Sequence, residues 1–190
     1  QCSSMASLGS NRMRITDHLN DGADMPLSDA LNRYTIVFNG EIYNRRDIRS
    51  QCPNFPYKTL SDTESILAAY DRWGEHCLDH LEGMFSFCLY DHMQDTFLMA
   101  VDPTRQKPFF FLQDDNAFVF SSDMNALVAD AYRKKTFSRE GIGEIIAVRF
   151  ACADQTQFNE IKKLKPGHKL VLEQGKPQQI SRYYTIPVGD

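Results

Sequence analysis

The chain has 190 residues, 42% of them hydrophobic and 12% aromatic, which is enough apolar material for the core of a soluble globular domain. The net charge of -4 argues against the broad basic surface that nucleic-acid binders carry. The sequence contains no run of roughly 20 apolar residues, which a membrane span requires. Five scattered cysteines without a CxxC pair are typical of a reduced, cytoplasmic protein. We therefore expect one soluble domain without nucleic-acid or membrane partners.

The first part of the chain is expected to form strands joined by polar segments. Residues 8–15 are a candidate short strand, and residues 16–31 are rich in Asp, Asn and Gly, which favours a loop. Residues 34–38 are β-branched or aromatic and predict a strand. Asn-Gly at 39–40 separates this run from the strand-like residues 41–43, which is typical of a tight β-hairpin.

Helices are predicted next, followed by several short strands. A short helix is expected over 45–50, and a longer one from Asp62, with apolar residues at helical spacing, should end at Gly74. A further helix is expected over 75–81. Strands follow at 84–90, 96–101, 108–112 and 117–121, helices at 124–131 and 139–146, and a hairpin after Gly167. This order favours an α+β domain with antiparallel sheets and helices packed outside them.

His76 and His80 lie four residues apart on a predicted helix, a spacing that can hold a metal ion. The sequence offers no obvious third ligand beside them, so we interpret both as surface histidines and predict no metal site. No glycine-rich phosphate loop and no Gly-x-Ser-x-Gly nucleophile turn occur in the sequence.

Several short motifs occur in a fixed order from about Leu8 to about Tyr184. They are the segments 8–17, 22–27, 38–44, 61–64, 83–87, 102–109, 120–122, 164–167 and 183–184. In order and spacing they resemble the class II glutamine amidotransferases, and most closely the amidotransferase half of the asparagine synthetases. The resemblance implies that residues 1–190 form an αββα sandwich, with two antiparallel sheets between helical layers, of the N-terminal nucleophile hydrolase type.

The resemblance also implies an activity. Members of this family hydrolyse glutamine through a covalent thioester and pass the ammonia to an acceptor that a synthetase domain activates. The family's nucleophile is an N-terminal cysteine whose own α-amino group acts as the base. By this resemblance, the side chain of Asn39 and the backbone N–H of Gly40 would form the oxyanion hole.

The same resemblance assigns a set of substrate-binding residues. Arg12 would bind the α-carboxylate of glutamine, and the backbones of Met13 and Ile15 would line the pocket. Glu41 and Asp62 would hold the α-ammonium group. Without the family, Arg12 reads equally as an exposed strand arginine, and Asp62 as the cap of the helix that follows it.

The chain departs from the family pattern at its beginning. Cys2 follows Gln1, only residues 3–11 separate it from Arg12, and the family's Arg-Gly-Pro-Asp motif is missing. Because Gln1 occupies its α-amino group, Cys2 is a weak candidate, and the nucleophile stays unknown. Two explanations remain open: an N-terminally incomplete domain that lacks its first strands, or a homologue without the nucleophile that binds glutamine or docks to a partner without turnover.

The expected partners follow from the same comparison. The Ser-Gly-Gly-x-Asp-Ser loop of the family's ATP pyrophosphatase (synthetase) domain does not occur here. We therefore expect no cofactor in this domain, with ATP and Mg²⁺ needed only by a synthetase domain in cis or in trans. Glutamine is the expected small-molecule partner, and the sequence allows a homodimer. Val101, Arg105, Asp123 and Asn125 depart from the family pattern on the face that would meet that domain, which argues against the usual contact. The changes at Val101 and Arg105 favour the docking alternative slightly.

Overall fold

The computed structural model describes residues 6–10, 21–174 and 176–187. Within these ranges a six-stranded antiparallel sheet has the strand order β1-β2-β3-β4-β8-β9, and a three-stranded antiparallel sheet has the order β6-β5-β7. The strands are β1 Leu27–Ser28, β2 Tyr34–Ile42, β3 Gly83–Asp91, β4 Thr96–Val101, β5 Phe110–Gln113, β6 Phe118–Ser121, β7 Lys162–Lys163, β8 His168–Glu173 and β9 Lys176–Arg182. The helices are α1 Arg45–Gln51, α2 Asp62–Trp73, α3 Met124–Ala129 and α4 Arg139–Val148. Two antiparallel sheets with four helices confirm the expected α+β class.

Three groups of buried side chains hold these elements together. The largest lies between the six-stranded sheet and helices α1 and α2, and includes Ile36 and Ile66. A second lies between the two sheets, where Met99 and Phe111 belong to the same group. A third includes Leu127 of α3 beside the small sheet. The large sheet is therefore covered by helices on one face and by the small sheet on the other.

Helix α2 begins and ends where its sequence predicts. The Ser61 hydroxyl accepts the backbone N–H of Glu64, which is the usual N-cap arrangement. Gly74 follows the last helical residue with a φ of 58°, and its N–H bonds to the carbonyl of Tyr70. All nine residues from Asp62 to Tyr70 are buried, because this helix is pressed onto the large sheet.

The predicted hairpin at Asn39-Gly40 is wrong. Strand β2 runs without a turn from Tyr34 to Ile42, with Asn39 opposite Ser86 and Gly40 opposite Phe85 in β3. The glycine is needed for a close approach between strands, since a Cβ built on Gly40 would lie 2.0 Å from the carbonyl oxygen of Met84.

Smaller differences concern three other segments. The helix predicted over 75–81 is a 3-10 helix, Gly74–Asp79. The loop predicted over 16–31 contains the short strand β1 and a 3-10 turn, Asp21–Ala23. The strand predicted over 8–15 does not include residues 8–10, and its remainder lies outside the described residues. No described helix combines the length and apolarity that crossing a bilayer requires.

Candidate active site

A cavity of about 570 Å³ opens where the end of β2 meets the beginnings of α2 and β3. Small-molecule sites typically have volumes of about 300–1,000 Å³. Four residues predicted from the sequence line this cavity, namely Asn39, Gly40, Glu41 and Asp62. The other predicted residues, Arg12, Met13 and Ile15, and the candidate nucleophile Cys2, lie outside the described residues.

The strand pairing decides which way the backbone of Gly40 faces. Opposite it, Phe85 donates its N–H to Oδ2 of Asp102 at 3.1 Å and accepts the N–H of Asp102 at 2.8 Å. Since both polar groups of Phe85 are engaged with Asp102, Gly40 and Phe85 form a non-hydrogen-bonded pair of the antiparallel ladder. The N–H of Gly40 therefore faces away from β3.

The neighbouring N–H groups on that edge of β2 bond to side chains. Phe38 donates to the sulfur of Met25 at 3.2 Å, and Ile42 donates to Oδ2 of Asp62 at 3.1 Å. The N–H of Gly40 lies between these two, on the same edge, because backbone direction alternates along a strand. The N–H of Gly40 is thus turned to the edge of β2 on which Met25 and Asp62 lie, and both of these residues line the cavity.

The segment before α2 fixes Asp62 at the cavity. Ser61 caps the helix, so Asp62 is free of the capping role that was the alternative reading. Glu64 is fully buried, and its carboxylate accepts the N–H groups of Lys58 and Thr59 at 2.7 and 2.8 Å. These bonds fold the preceding loop against the helix, and Asp62, only 5% exposed, is held beside the end of β2.

Asn44, the second asparagine of the β2 segment, has a structural position. Its Nδ2 donates to the carbonyl of His80 at 2.9 Å, and its Oδ1 accepts the N–H of Glu82 at 3.1 Å. These bonds tie the chain after β2 to the segment before β3. Asn44 is not among the described residues that line the cavity.

Lys107 is a cavity residue that sequence reasoning did not assign. It ends a turn built around Asp102, which is fully buried and accepts the N–H groups of Thr104, Gln106 and Lys107. The Lys-Pro pair at 107–108 was recognised as part of a family motif, but nothing in a sequence shows which way the turn faces. With Glu41 and Asp62, Lys107 gives the described cavity wall two carboxylates and one ammonium group.

The described cysteines differ sharply in exposure. Cys88 is at the cavity wall but has no exposed surface, and burial raises the pKa of its thiol. Burial also raises the pKa of Cys52, and it raises that of Cys77 to about 12. Cys152 is partly exposed. A thiolate nucleophile requires a lowered pKa, so none of the three buried thiols has that character.

His76 and His80 are engaged with neighbouring side chains. The Nδ1 atom of His76 lies 3.2 Å from Oδ2 of Asp79, and the ring of His80 stacks on Trp73 with centroids 4.0 Å apart. Among the described residues no cluster of three metal-ligating side chains occurs.

Comparison with known proteins gives the family. A family model described as a glutamine amidotransferase domain matches residues 1–184. The chain belongs to the class II glutamine amidotransferases. It is 31% identical to the glutamine-hydrolysing asparagine synthetase 3 of Bacillus subtilis over 181 residues, which are 94% of this chain and 29% of the relative. It is 37% identical to the glutamine-hydrolysing asparagine synthetase B of Escherichia coli over 125 residues, 65% of this chain and 22% of the relative.

The fold is also found in solved amidotransferases. The glutamine phosphoribosylpyrophosphate amidotransferase from B. subtilis has a TM-score of 0.58 at 18% identity, covering 85% of this chain and 32% of that one. A second structure, described as the allosteric regulatory enzyme of purine biosynthesis, has a TM-score of 0.60 at 17% identity, covering 87% and 32%. This amidotransferase domain thus spans less than a third of the length of these relatives.

Proposed function

We propose that this domain hydrolyses glutamine and releases ammonia for an acceptor that is activated elsewhere. The single observation that carries the proposal is the convergence of Asn39, Gly40, Glu41 and Asp62 on one cavity. An amide NH2 group and a backbone N–H are the neutral donors that stabilise the oxyanion of a tetrahedral intermediate. Two carboxylates are suited to the α-ammonium group of an amino acid.

The proposed roles follow from these positions. Glutamine would enter with its side-chain amide towards Asn39 and Gly40 and its α-ammonium towards Glu41 and Asp62. Arg12 would hold the α-carboxylate, next to the backbones of Met13 and Ile15. The nucleophile of the thioester step stays unassigned, with Cys2 a weak candidate.

The proposal includes partners and a finer fold description. The αββα layer order of N-terminal nucleophile hydrolases would span residues 1–190. A synthetase domain, in cis or in trans, would use ATP and Mg²⁺ and receive the ammonia, in the cytoplasm. No metal or other cofactor is assigned to the domain itself, and a homodimer would be compatible with this arrangement.

Glutamate release from glutamine, measured on the protein with its native N-terminus and on variants expressed in the same form, tests the activity. Replacing Asn39→Ala should lower kcat by about 10²–10³-fold, the usual loss for one oxyanion donor. Asn116→Ala is the matched control, because Asn116 is an exposed residue outside the described cavity wall. Equal activity in both variants would refute the role of Asn39.

The alternative is a domain that binds glutamine, or docks to a partner, without turnover. The burial of Cys52, Cys77 and Cys88 favours it as far as the described thiols are concerned. Intact-mass spectrometry after treatment with an alkylating glutamine analogue separates the two. One added label supports turnover, and peptide mass spectrometry then locates the nucleophile, whereas glutamine binding without any label supports the alternative.

A further inference from the structure

A second cavity, of about 230 Å³, lies at the opposite end of β2 from the candidate active site, beside the C-terminal end of α2. Its described wall contains four carboxylate residues and no lysine or arginine. The four acidic residues are Asp71, Glu75, Asp91 and Glu173.

Two of these carboxylates have cationic neighbours that lie outside the described wall. Nη1 of Arg33 is 2.8 Å from Oδ1 of Asp71, and Nζ of Lys169 is 2.7 Å from Oε2 of Glu75. Within the described part of the chain no ion pair neutralises the other two, so the cavity keeps an excess of about two negative charges.

The inner part of the cavity contains two polar groups, Oδ2 of Asp91 and the hydroxyl of Tyr70, that form no hydrogen bond with a described residue. Asp91 is 2% exposed, and its Oδ1 accepts the N–H groups of Met93 and Gln94 at 2.9 and 3.0 Å. Its Oδ2 and the hydroxyl of Tyr70, a residue only 6% exposed, form no hydrogen bond with any described residue. Neither atom belongs to the buried side-chain atoms without a partner, which among the described residues are the Tyr57 and Ser65 hydroxyls, so both are open to a donor in the cavity. An ammonium group can donate to both at once.

The outer part of the cavity has the second unpaired carboxylate. Register places Asp91 opposite Thr96 and Thr96 opposite Glu173, so all three share one face of the large sheet. The backbones of Asp91 in β3 and Glu173 in β8 are thus about 10 Å apart across the sheet, because β4 lies between them and neighbouring strands are about 5 Å apart. Glu173 is exposed, and Lys176, opposite it in β9, forms no ion pair with it among the described contacts.

Two further features favour a positive charge here. The last turn of α2 directs its carbonyl groups towards this end, and a helix C-terminus attracts cations. The rings of Tyr34 and Tyr70 meet edge to face with centroids 5.4 Å apart, and aromatic faces also attract cations.

We propose that this cavity binds a small aliphatic diamine, with one ammonium group between Asp91 and Tyr70 and the other at Glu173. Asp91 is buried and Glu173 is exposed on the same face of the sheet. This separation suits a ligand with two ammonium groups joined by a short methylene chain. The site is distinct from the glutamine cavity and does not depend on glutamine hydrolysis.

Isothermal titration calorimetry of the full chain with cadaverine, at fixed ionic strength, tests the proposal. We expect saturable binding of one cadaverine per chain, and binding of butylamine about tenfold weaker because butylamine carries one ammonium group. Absence of saturable binding would overturn the proposal. Equal affinity for butylamine, or complete displacement by an equal concentration of potassium chloride, would also overturn it.

Variants locate the site. Glu173→Gln, on an exposed side chain, should weaken cadaverine binding about tenfold, and Tyr70→Phe, which removes one oxygen atom, should weaken it about threefold. Tyr57→Phe is the matched control, because the Tyr57 hydroxyl likewise has no described hydrogen-bond partner but lies outside this cavity. Thermal unfolding of each variant checks that it is folded. Unchanged affinity in both Glu173→Gln and Tyr70→Phe would place cadaverine elsewhere and refute the assignment.

Discussion

The N–H of Ile42 donates to Oδ2 of Asp62 at 3.1 Å, which ties the last residue of β2 to the first residue of α2. This bond holds the carboxylate next to Gly40 and Glu41, where the α-ammonium group of glutamine would bind. The neighbouring Ser61 has a different role, since its hydroxyl accepts the N–H of Glu64 and caps α2. These two adjacent residues thus form different bonds, since Asp62 accepts from β2 and Ser61 caps α2.

Substitutions of Asp62 and of Ser61 should therefore affect different quantities, the Kd for glutamine in the first case and the free energy of unfolding in the second. Asp62→Asn keeps an acceptor for Ile42 but loses the charge, so the Kd for glutamine should rise about tenfold with little change in stability. Ser61→Ala should lower the free energy of unfolding by about 1 kcal/mol and leave the Kd unchanged. Calorimetry and urea unfolding measure the two quantities. An equal rise of the Kd in both variants would contradict the separation.

Gly40→Ala should destabilise the domain strongly. Its φ is 148°, and a Cβ would lie 2.0 Å from the carbonyl oxygen of Met84 and 2.8 Å from the Cα of Phe85, so β2 and β3 would have to move apart. We expect a loss of about 2–4 kcal/mol in urea unfolding. Gly143→Ala in α4 is the control: no described atom lies within 4 Å of its Cβ position, and a gain of up to about 1 kcal/mol is expected.

Asp102→Asn tests the turn that carries Lys107. Asp102 is fully buried and its carboxylate accepts backbone N–H groups on both oxygens, so an amide would place its own donors against some of them. The free energy of unfolding should fall by about 2–4 kcal/mol. Asp114→Asn, in an exposed turn with a similar bonding pattern, should change stability little. Equal losses in both variants would contradict the importance of burial.

Thiol labelling should follow burial. Among the four described cysteines, Cys152 is partly exposed, whereas Cys52, Cys77 and Cys88 are buried. In a mildly alkaline buffer, a thiol reagent should modify Cys152 first and the other three only at the rate of unfolding. Mass spectrometry of peptides identifies the labelled residues. Labelling of Cys88 as rapid as that of Cys152 would show that the cavity gives reagents access to it.

Alkaline conditions should destabilise the domain through Cys77. Burial raises the pKa of this thiol from its ordinary value of 9.0 to about 12, so the unfolded chain loses the proton at a lower pH than the native protein. The stabilisation is present below pH 9.0 and is lost as the pH rises towards 12. Cys77→Ala should flatten this loss in urea unfolding curves measured across the range. Cys152→Ala is the control and should leave the slope unchanged.

Local signals in the sequence predicted much of the fold. Gly74 ends α2 as expected, and the apolar run of β4 has the bounds expected for it, whereas the N-cap is Ser61 and not Asp62. The error at Asn39-Gly40 has a physical cause: a glycine serves a turn and a close contact between strands equally well, and only the partner strand decides. The segment expected to be a helix over 75–81 instead forms a tighter 3-10 helix of six residues, Gly74–Asp79.

The candidate site was predictable only through the family resemblance. That resemblance assigned Asn39, Glu41 and Asp62, and the fold places all three at one cavity, while their roles stay predictions. Lys107 was missed because the bonds from Asp102 decide where its turn faces, and a sequence does not contain that information. The assignments of Arg12, Met13 and Ile15 stay predictions.

The side chains of Met25 and Asp62 accept N–H groups along one edge of β2, and this affects how easily the domain can self-associate through that edge. A free strand edge is a template on which another molecule can add a strand, the usual first step of sheet aggregation. Here Met25 and Asp62 accept two of the N–H groups that such a strand would need, and α2 stands beside the second of them. A strand from another copy would have to displace both side chains. The described part of this edge therefore resists the addition of a β-strand.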